Sequence, residues 1–513
     1  YRLYVGLGTA GPVRAGSECA LLVLGPPRSG KTTSIVIPNV LGAPGAVVST
    51  STKPEVVLAT VAARSARGTC WLFDPSGSMA PPPGTKALRW SPVGGCEDWD
   101  TAAARAHALA GAARPGGGLI DANHWVERAE ALLGPLLHAA ALQGGGLGAV
   151  VSWTLSRDLA EPLAILEANR ATLARASLGG VTHTEERERS GILSTAAGIL
   201  SPYRCQATLE AASAPNFDPH AFVASADTVY ICAPATAQDQ LAPLVVALIE
   251  QIRSATYARA SGKMPLVFAL DEVATIAPLP TLPAMVAEGG GQGALTLACL
   301  QDLSQARARW GVAAEGFLSL FGAKVVLPGI GDRATLELVC ALAGEMDVTQ
   351  RSVSRPMGWA AVWANNGGRS YRTSTTSITR RPRLPVDAVA RGKPGHALLI
   401  SGPSAPCWVR LTAYFGHSPW RELAAGEPAQ PFDTAGPSGT SSFSRWFGRW
   451  RLPAKWQPWM VVTLAVVLVA TATDSAFRAE LANLILNLGL LVALAAWMRR
   501  RWRRWTSRWG KRP

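Results

Sequence analysis

Gly25, Gly30, Lys31 and Thr32 stand in the spacing G-x-x-x-x-G-K-[ST], inside the stretch GPPRSGKTT (residues 25–33) and directly behind the apolar run ALLVL. A glycine-rich turn between a strand and a helix aims successive backbone N–H groups inward, and the N-terminal end of the helix adds its positive dipole. Such a cradle binds phosphate. Gly25, Pro26, Pro27, Arg28, Ser29, Gly30, Lys31, Thr32 and Thr33 are the candidate nucleotide-binding residues. Lys31 would reach the β- and γ-phosphates, and the Thr32 hydroxyl would ligate Mg²⁺. A site of this kind needs carboxylates on a neighbouring strand, and LVFALDE (266–272) supplies them. Asp271 is read as a holder of Mg²⁺ through water and Glu272 as the group that polarises the attacking water. Gln301, at the end of ALTLACLQD, stands where it would sense the γ-phosphate. Lys31, Glu272 and Gln301 are thus the candidate catalytic residues, Thr32 and Asp271 the candidate metal holders, and ATP with Mg²⁺ the implied ligands. Lys53 in STSTKPE and Asp74 in LFDPSG also fall at expected strand ends. Each is read either as a capping or turn residue or as a contact to nucleotide or substrate.

These residues must be held by a scaffold, and the hydrophobic pattern predicts an α/β fold. From 20 to 97, short apolar runs (ALLVLG, GAVVS, CWLFDP) alternate with helical stretches, the pattern of a parallel sheet wound with helices. Pro38, early in the helix after the phosphate loop, is expected to end or kink it after about two turns. Residues 98–222 are rich in Ala and Leu at helical spacing and predict an inserted all-α domain. Strands resume with DTVYICA, MPLVFALDE, ALTLACLQD and AKVVLPG. The predicted organisation is a nucleotide-binding domain in two parts (1–97 and 223–423) around the insertion, then a Pro/Gly/Ser/Thr-rich linker (424–444) and a terminal segment (445–513).

The charge belongs mostly to that last segment. Of a net +14, residues 445–513 carry 13 Lys/Arg against Asp474 and Glu480, leaving +3 for the first 444 residues. The segment also holds 8 of the 18 tryptophans, a pairing with Arg that suits a membrane interface. Its apolar stretches, 459–473 and 481–498, would span roughly 22 and 27 Å as helices against a hydrocarbon core of about 30 Å. They predict a transmembrane hairpin. Cations flank both outer ends, so both ends and the nucleotide-binding domain are expected on the cytoplasmic side. Eight scattered cysteines without a C-x-x-C pair exclude a zinc knuckle and a disulfide framework. The chain starts at Tyr1 with no signal-peptide pattern and is read as lacking an N-terminal piece.

In the order GPPRSGKTT, LDEVATIAPLPTLPAMVAEGGGQG, LQDLSQARARWG and RPRLPVDAVARGKPGHALLISGPSAPCWVRLTAYF, the sequence resembles the type IV secretion coupling proteins, the conjugative DNA-transfer ATPases. The stretches STSTKPE and NHWVERAEALL are similar to actinobacterial members. The resemblance covers roughly residues 15–415 and implies a RecA-like phosphate-loop domain with an all-α insertion. It further implies a homo-hexamer, hydrolysis at subunit boundaries, and delivery of single-stranded DNA or a relaxase-DNA complex to secretion channel components at the inner membrane. Two departures stand out. The turn after the carboxylate helix, EGGGQGA (288–294), lacks the cation that members commonly place there, leaving Arg307, Arg309 and Arg333 as candidates for a finger acting on the adjacent subunit. The hairpin follows the motor domain instead of preceding it: either the architecture is rearranged or an upstream hairpin is missing. Seven arginines between Arg351 and Arg383, with Trp359, Trp363 and Tyr371 among them, are read either as a track for a phosphate backbone or as a solvated loop. An adaptor that docks secreted protein substrates without pumping DNA is the alternative function.

Overall fold

The computed structural model of the chain describes residues 1–112, 120–234, 236–259, 264–354 and 373–427. The predicted membrane hairpin and nearly all of the predicted linker lie outside the described residues. Among the described residues no helix is long and apolar enough to cross a membrane.

Among the described residues fourteen strands form two sheets: β1 (Tyr4–Gly8), β2 (Gly11–Arg14), β3 (Leu21–Leu24), β4 (Val47–Ser51), β5 (Cys70–Phe73), β6 (Thr85–Ala87), β7 (Thr228–Cys232), β8 (Leu266–Leu270), β9 (Ala294–Leu300), β10 (Ala323–Val326), β11 (Glu345–Ser354), β12 (Thr373–Pro382), β13 (His396–Ser401) and β14 (Cys407–Arg410). Twelve of them make one sheet in the order β2-β1-β14-β13-β10-β3-β9-β8-β4-β7-β5-β6. Every pair from β10 to β6 is parallel, while β13, β14, β1 and β2 extend that sheet antiparallel at the β10 edge. The seven strands predicted as apolar runs are the inner parallel ones. Buried on both faces, they read as continuous hydrophobic sequence.

Alternation along those strands divides the core. Leu22, Leu24, Phe268 and Leu270 belong to one apolar cluster, whereas Leu21, Val23, Val267 and Ala269 belong to the other. The second cluster is closed by the helix after the phosphate loop, by Glu55–Ser65 and by Trp420 of the short helix Trp420–Ala424. The first is continuous with the helical interval, which runs from Trp99–Ala112 through Ile120–Leu142, Leu147–Ser156, Ala160–Ala168, Thr172–Thr182 and Glu186–Ile199 to Pro219–Val223. Residues 1–432 make one compact unit, so this helical interval shares its interior with one sheet face.

Pro38 does not end its helix. Thr32–Val36 form a wider π turn, with the Ile37 N–H bonded to the Thr32 carbonyl, and Ile37–Gly42 continue as α-helix with Pro38 in its first turn. A proline at that point forgoes only an N–H that the change of turn has already freed. Asn39, fully buried one residue later, binds both polar backbone groups of Tyr4 at 2.8 Å and ties the added edge of the sheet to this helix.

Candidate active site

β3 is buried throughout and delivers the chain to Gly25, whose N–H donates to the Leu300 carbonyl at the end of β9 at 3.2 Å. A Cβ on Gly25 would meet Leu327 Cβ and Ser29 Oγ at 2.9 Å, so this position admits no side chain. Gly30 takes φ +93°, where L side chains are strained. Lys31, only 7% exposed, folds its ammonium back into the loop and donates to the carbonyls of Gly25 at 2.5 Å and Pro26 at 3.0 Å. The Ser29 hydroxyl is buried without a hydrogen-bond partner. A buried donor, an ammonium held only by carbonyls and a helix N-terminus together fit an anion. Pro26, Pro27, Arg28 and Thr33 complete the loop. Arg28 is exposed at φ +62°, and Thr33 Oγ1 reaches back to the Gly30 carbonyl at 3.4 Å.

The carboxylates arrive from β8. They are not on the strand beside the phosphate loop, as the sequence reading expected, because β9 lies between β3 and β8. The crossover order of a doubly wound sheet is a tertiary choice that spacing along the chain does not encode. Even so, the Thr32 hydroxyl donates to Asp271 Oδ2 at 2.6 Å. Asp271 is 6% exposed, and burial pushes its carboxyl above the usual range against the opposing pull of the Thr32 bond and the Lys31 charge. Glu272 stands at φ +50°, ψ +48°, and its carboxyl is also raised, by burial first and by the Asp271 charge second. Lys31 and Lys53 oppose that rise, which places Lys53 within electrostatic reach of the site. A general base gains from a pKa brought nearer to the working pH.

Gln301 follows β9 and is half-buried between the strand of the phosphate loop and the strand of the carboxylates, with its N–H bonded to Gln305 Oε1 at 3.0 Å. The structure therefore gathers Lys31, Thr32, Asp271, Glu272 and Gln301 at one sheet edge and brings Lys53 near them. Asp74 is not among them. At the end of β5, three strands beyond β8, it accepts from the N–H groups of Ser76 at 3.1 Å and Met79 at 2.7 Å and anchors its own turn. Thr32 and Asp271 offer the hard oxygens that suit Mg²⁺, and among the described residues no group of three or more His, Cys, Asp or Glu could hold a metal alone.

The arginines named from the sequence are engaged within the chain. Arg307 pairs with Asp332 at 2.9 Å, Arg333 with Glu337 at 2.7 Å, and Arg309 donates to the Ala112 carbonyl at the end of the helix Trp99–Ala112. Part of the EGGGQGA turn is closed to side chains. A Cβ on Gly290 would fall 2.1 Å from the Glu18 carbonyl oxygen, so backbone packs where a side chain would start. The described flanks of the arginine-rich stretch form a separate antiparallel ribbon of β11 and β12. Glu345 and Asp347, outside the stretch in sequence, lie 3.5 and 3.9 Å from Arg380 and neutralise part of its charge. Arg355, Arg369, Arg372 and the three aromatic residues fall outside the described residues.

Residues 4–425 match the profile of the family described as type IV secretory system conjugative DNA transfer. The chain belongs to that family. No curated protein matches it significantly. Among solved structures, the unbound conjugative coupling protein TrwBΔN70 is similar with a TM-score of 0.61 at 20% identity, covering 79% of this chain and 88% of that one. TrwB in complex with a non-hydrolysable GTP analogue gives 0.59 at 19% identity, covering 79% and 89%. TrwB in complex with ADP and Mg²⁺ gives 0.58 at 20%, covering 77% and 86%. These likenesses establish the fold of the conjugative DNA transfer chain as an α/β domain with a large, mostly parallel sheet. The Thr50 hydroxyl at the end of β4, bound to the Asp271 carbonyl, is a site feature that sequence reading passed over. The hydroxyl-rich run STST ahead of Lys53 was its only signal.

Proposed function

We propose that this conjugative DNA transfer chain is an ATPase that couples hydrolysis to recruiting and moving a DNA substrate into a secretion channel. The observation that carries the reading is the 2.6 Å contact of Thr32 with Asp271, with Glu272 next in the chain and Lys31 already in the loop. TrwB, similar in fold, has been seen with ADP and Mg²⁺. Bound Mg²⁺ would neutralise charge on the β- and γ-phosphates, held by Thr32 directly and by Asp271 through water. Lys31 would exchange its loop carbonyls for phosphate oxygens, Glu272 would take the proton of the attacking water, and Gln301 would sense the terminal phosphate.

The same site is mechanically joined to the helical interval. Arg309, on the helix after Gln301, holds the Ala112 carbonyl, while Pro280, downstream of Glu272, packs where a Cβ on Gly111 would lie 2.9 Å away. Trp310 Nε1 donates to the Leu279 carbonyl at 2.7 Å and links the two arms. Movement of either strand end thus reaches the last turn of Trp99–Ala112. In this reading the helical interval is the substrate-reading insertion, the terminal segment anchors the chain in the inner membrane, and a ring of six copies supplies the trans-acting cation.

The test is ATP turnover by the full chain in detergent, with and without single-stranded DNA. Turnover stimulated by DNA, abolished in Lys31→Ala and reduced to a measurable residue in Glu272→Gln is expected. Turnover indifferent to DNA, with transfer in cells surviving Lys31→Ala, refutes the motor and favours an adaptor that docks protein substrates.

A further inference from the structure

The carboxyl end of β8 turns into the site through one peptide unit, and both polar ends of that unit are fixed. Pairing of β4 with β8 stops at Thr50 opposite Leu270, so the Asp271 carbonyl lies beyond the ladder. A buried carbonyl needs a partner, and the fully buried Thr50 hydroxyl donates to it at 2.9 Å. The N–H of the same peptide belongs to Glu272 and donates to Asp271 Oδ1 at 3.1 Å. Its neighbour oxygen Oδ2 takes the Thr32 hydroxyl. Directly after this clamped plane, Glu272 adopts the left-handed conformation at φ +50°, which a residue with a Cβ holds only when its surroundings enforce it. Ser49, one residue earlier on β4, has a buried hydroxyl with no hydrogen-bond partner, so the register of Thr50, and not a hydroxyl on β4 as such, makes the contact.

We propose that Thr50 is a positioning residue for hydrolysis. It acts through the main chain: by fixing the Asp271–Glu272 peptide plane, it sets the direction in which the Glu272 carboxylate leaves the strand end and so its aim at the attacking water. The assignment rests on the ATPase reading above. A base aimed off its proton keeps its pKa and its neighbours but loses rate, because general-base catalysis depends on hydrogen-bond geometry first.

The experiment is steady-state ATP hydrolysis by the full chain with Thr50→Val, Thr50→Ser and Thr50→Ala, each also combined with Glu272→Gln. Thr50→Val preserves shape and removes the donor; kcat is expected to fall about tenfold with the KM for ATP within about twofold of wild type. Thr50→Ser keeps the donor and should recover most of that loss. Added to Glu272→Gln, Thr50→Val should cost nothing further, because the group it aims is gone. If Thr50→Val does not fold, Thr50→Ala carries the same expectations. A kcat unchanged in Thr50→Val, or a loss that persists at full size in the Glu272→Gln background, overturns the proposal and leaves the ATPase reading standing. Absence of turnover in the wild-type chain overturns both.

Discussion

Replacing Thr32 with Val removes one hydroxyl from a carboxylate that is 6% exposed and takes that hydroxyl at 2.6 Å. A hydrogen bond to an ionised group contributes about 1.5–3 kcal/mol, so the nucleotide-free protein should lose about 2 kcal/mol at pH 7.5. The sign follows from the folded state. Burial already raises the Asp271 carboxyl above its unfolded value, and the Thr32 bond opposes the rise. Without the bond the folded pKa climbs further. A raised pKa means stability that is present at low pH and lost as pH rises through the folded value, so the variant suffers most where Asp271 is ionised. As pH falls through the raised pKa, protonation should relieve the defect and the two melting curves should converge. The assay is the thermal midpoint of nucleotide-free Thr32→Val, Thr32→Ser and wild type between pH 5 and 8, repeated in an Asp271→Asn background. Asp271→Asn alone should raise the midpoint at pH 7.5, since it removes a buried charge. A Thr32→Val defect of equal size at every pH, or one undiminished in the Asp271→Asn background, would refute the assigned coupling.

Arg64 is fully buried and donates to the carbonyls of Ala43, Gly45 and Ala226 and to Thr228 Oγ1 at 2.6–2.8 Å. Arg64→Met should cost about 3 kcal/mol by leaving these acceptors unmatched, and Arg64→Lys should rescue little, because a point ammonium cannot copy the planar fork; chemical denaturation reads both. Asp74→Ala should lower stability by about 1 kcal/mol through its turn and leave ATP turnover unchanged, which a nucleotide-contact role would not permit.

Much of the site was legible because phosphate chemistry constrains residue types locally. The glycines at 25 and 30, Lys31 and Thr32 must be close in sequence to build one loop, and an acidic pair after a buried run marks a strand end. What remained hidden involved partners far apart in the chain. Asp74 and Asp271 look alike in sequence, each after an apolar run, yet only the strand order separates the turn anchor from the site. Arg307, Arg309 and Arg333 stood as candidates for a finger acting on the adjacent subunit, and Asp332, the Ala112 carbonyl and Glu337 respectively engage them within the chain. Of the outer strands β1, β2, β13 and β14, β2 is a half-exposed edge strand and β14 is short and partly exposed, whereas β13 carries the buried apolar run ALLI (397–400), paired on both sides, and was legible but passed over.

The sequence by itself determined the chemistry of the loop, the seven inner strands and the helical character of the interval between β6 and β7, because local spacing and hydrophobic periodicity are properties of neighbours along the chain. Only the tertiary structure decided that β9 intervenes between the phosphate loop and the carboxylates, that Thr32 touches Asp271 across 239 positions, and that Thr50 clamps the peptide ahead of Glu272. Those contacts depend on the order and register in which parallel strands assemble. That order is set by burying both faces of the whole sheet at once, and no single stretch of sequence carries it.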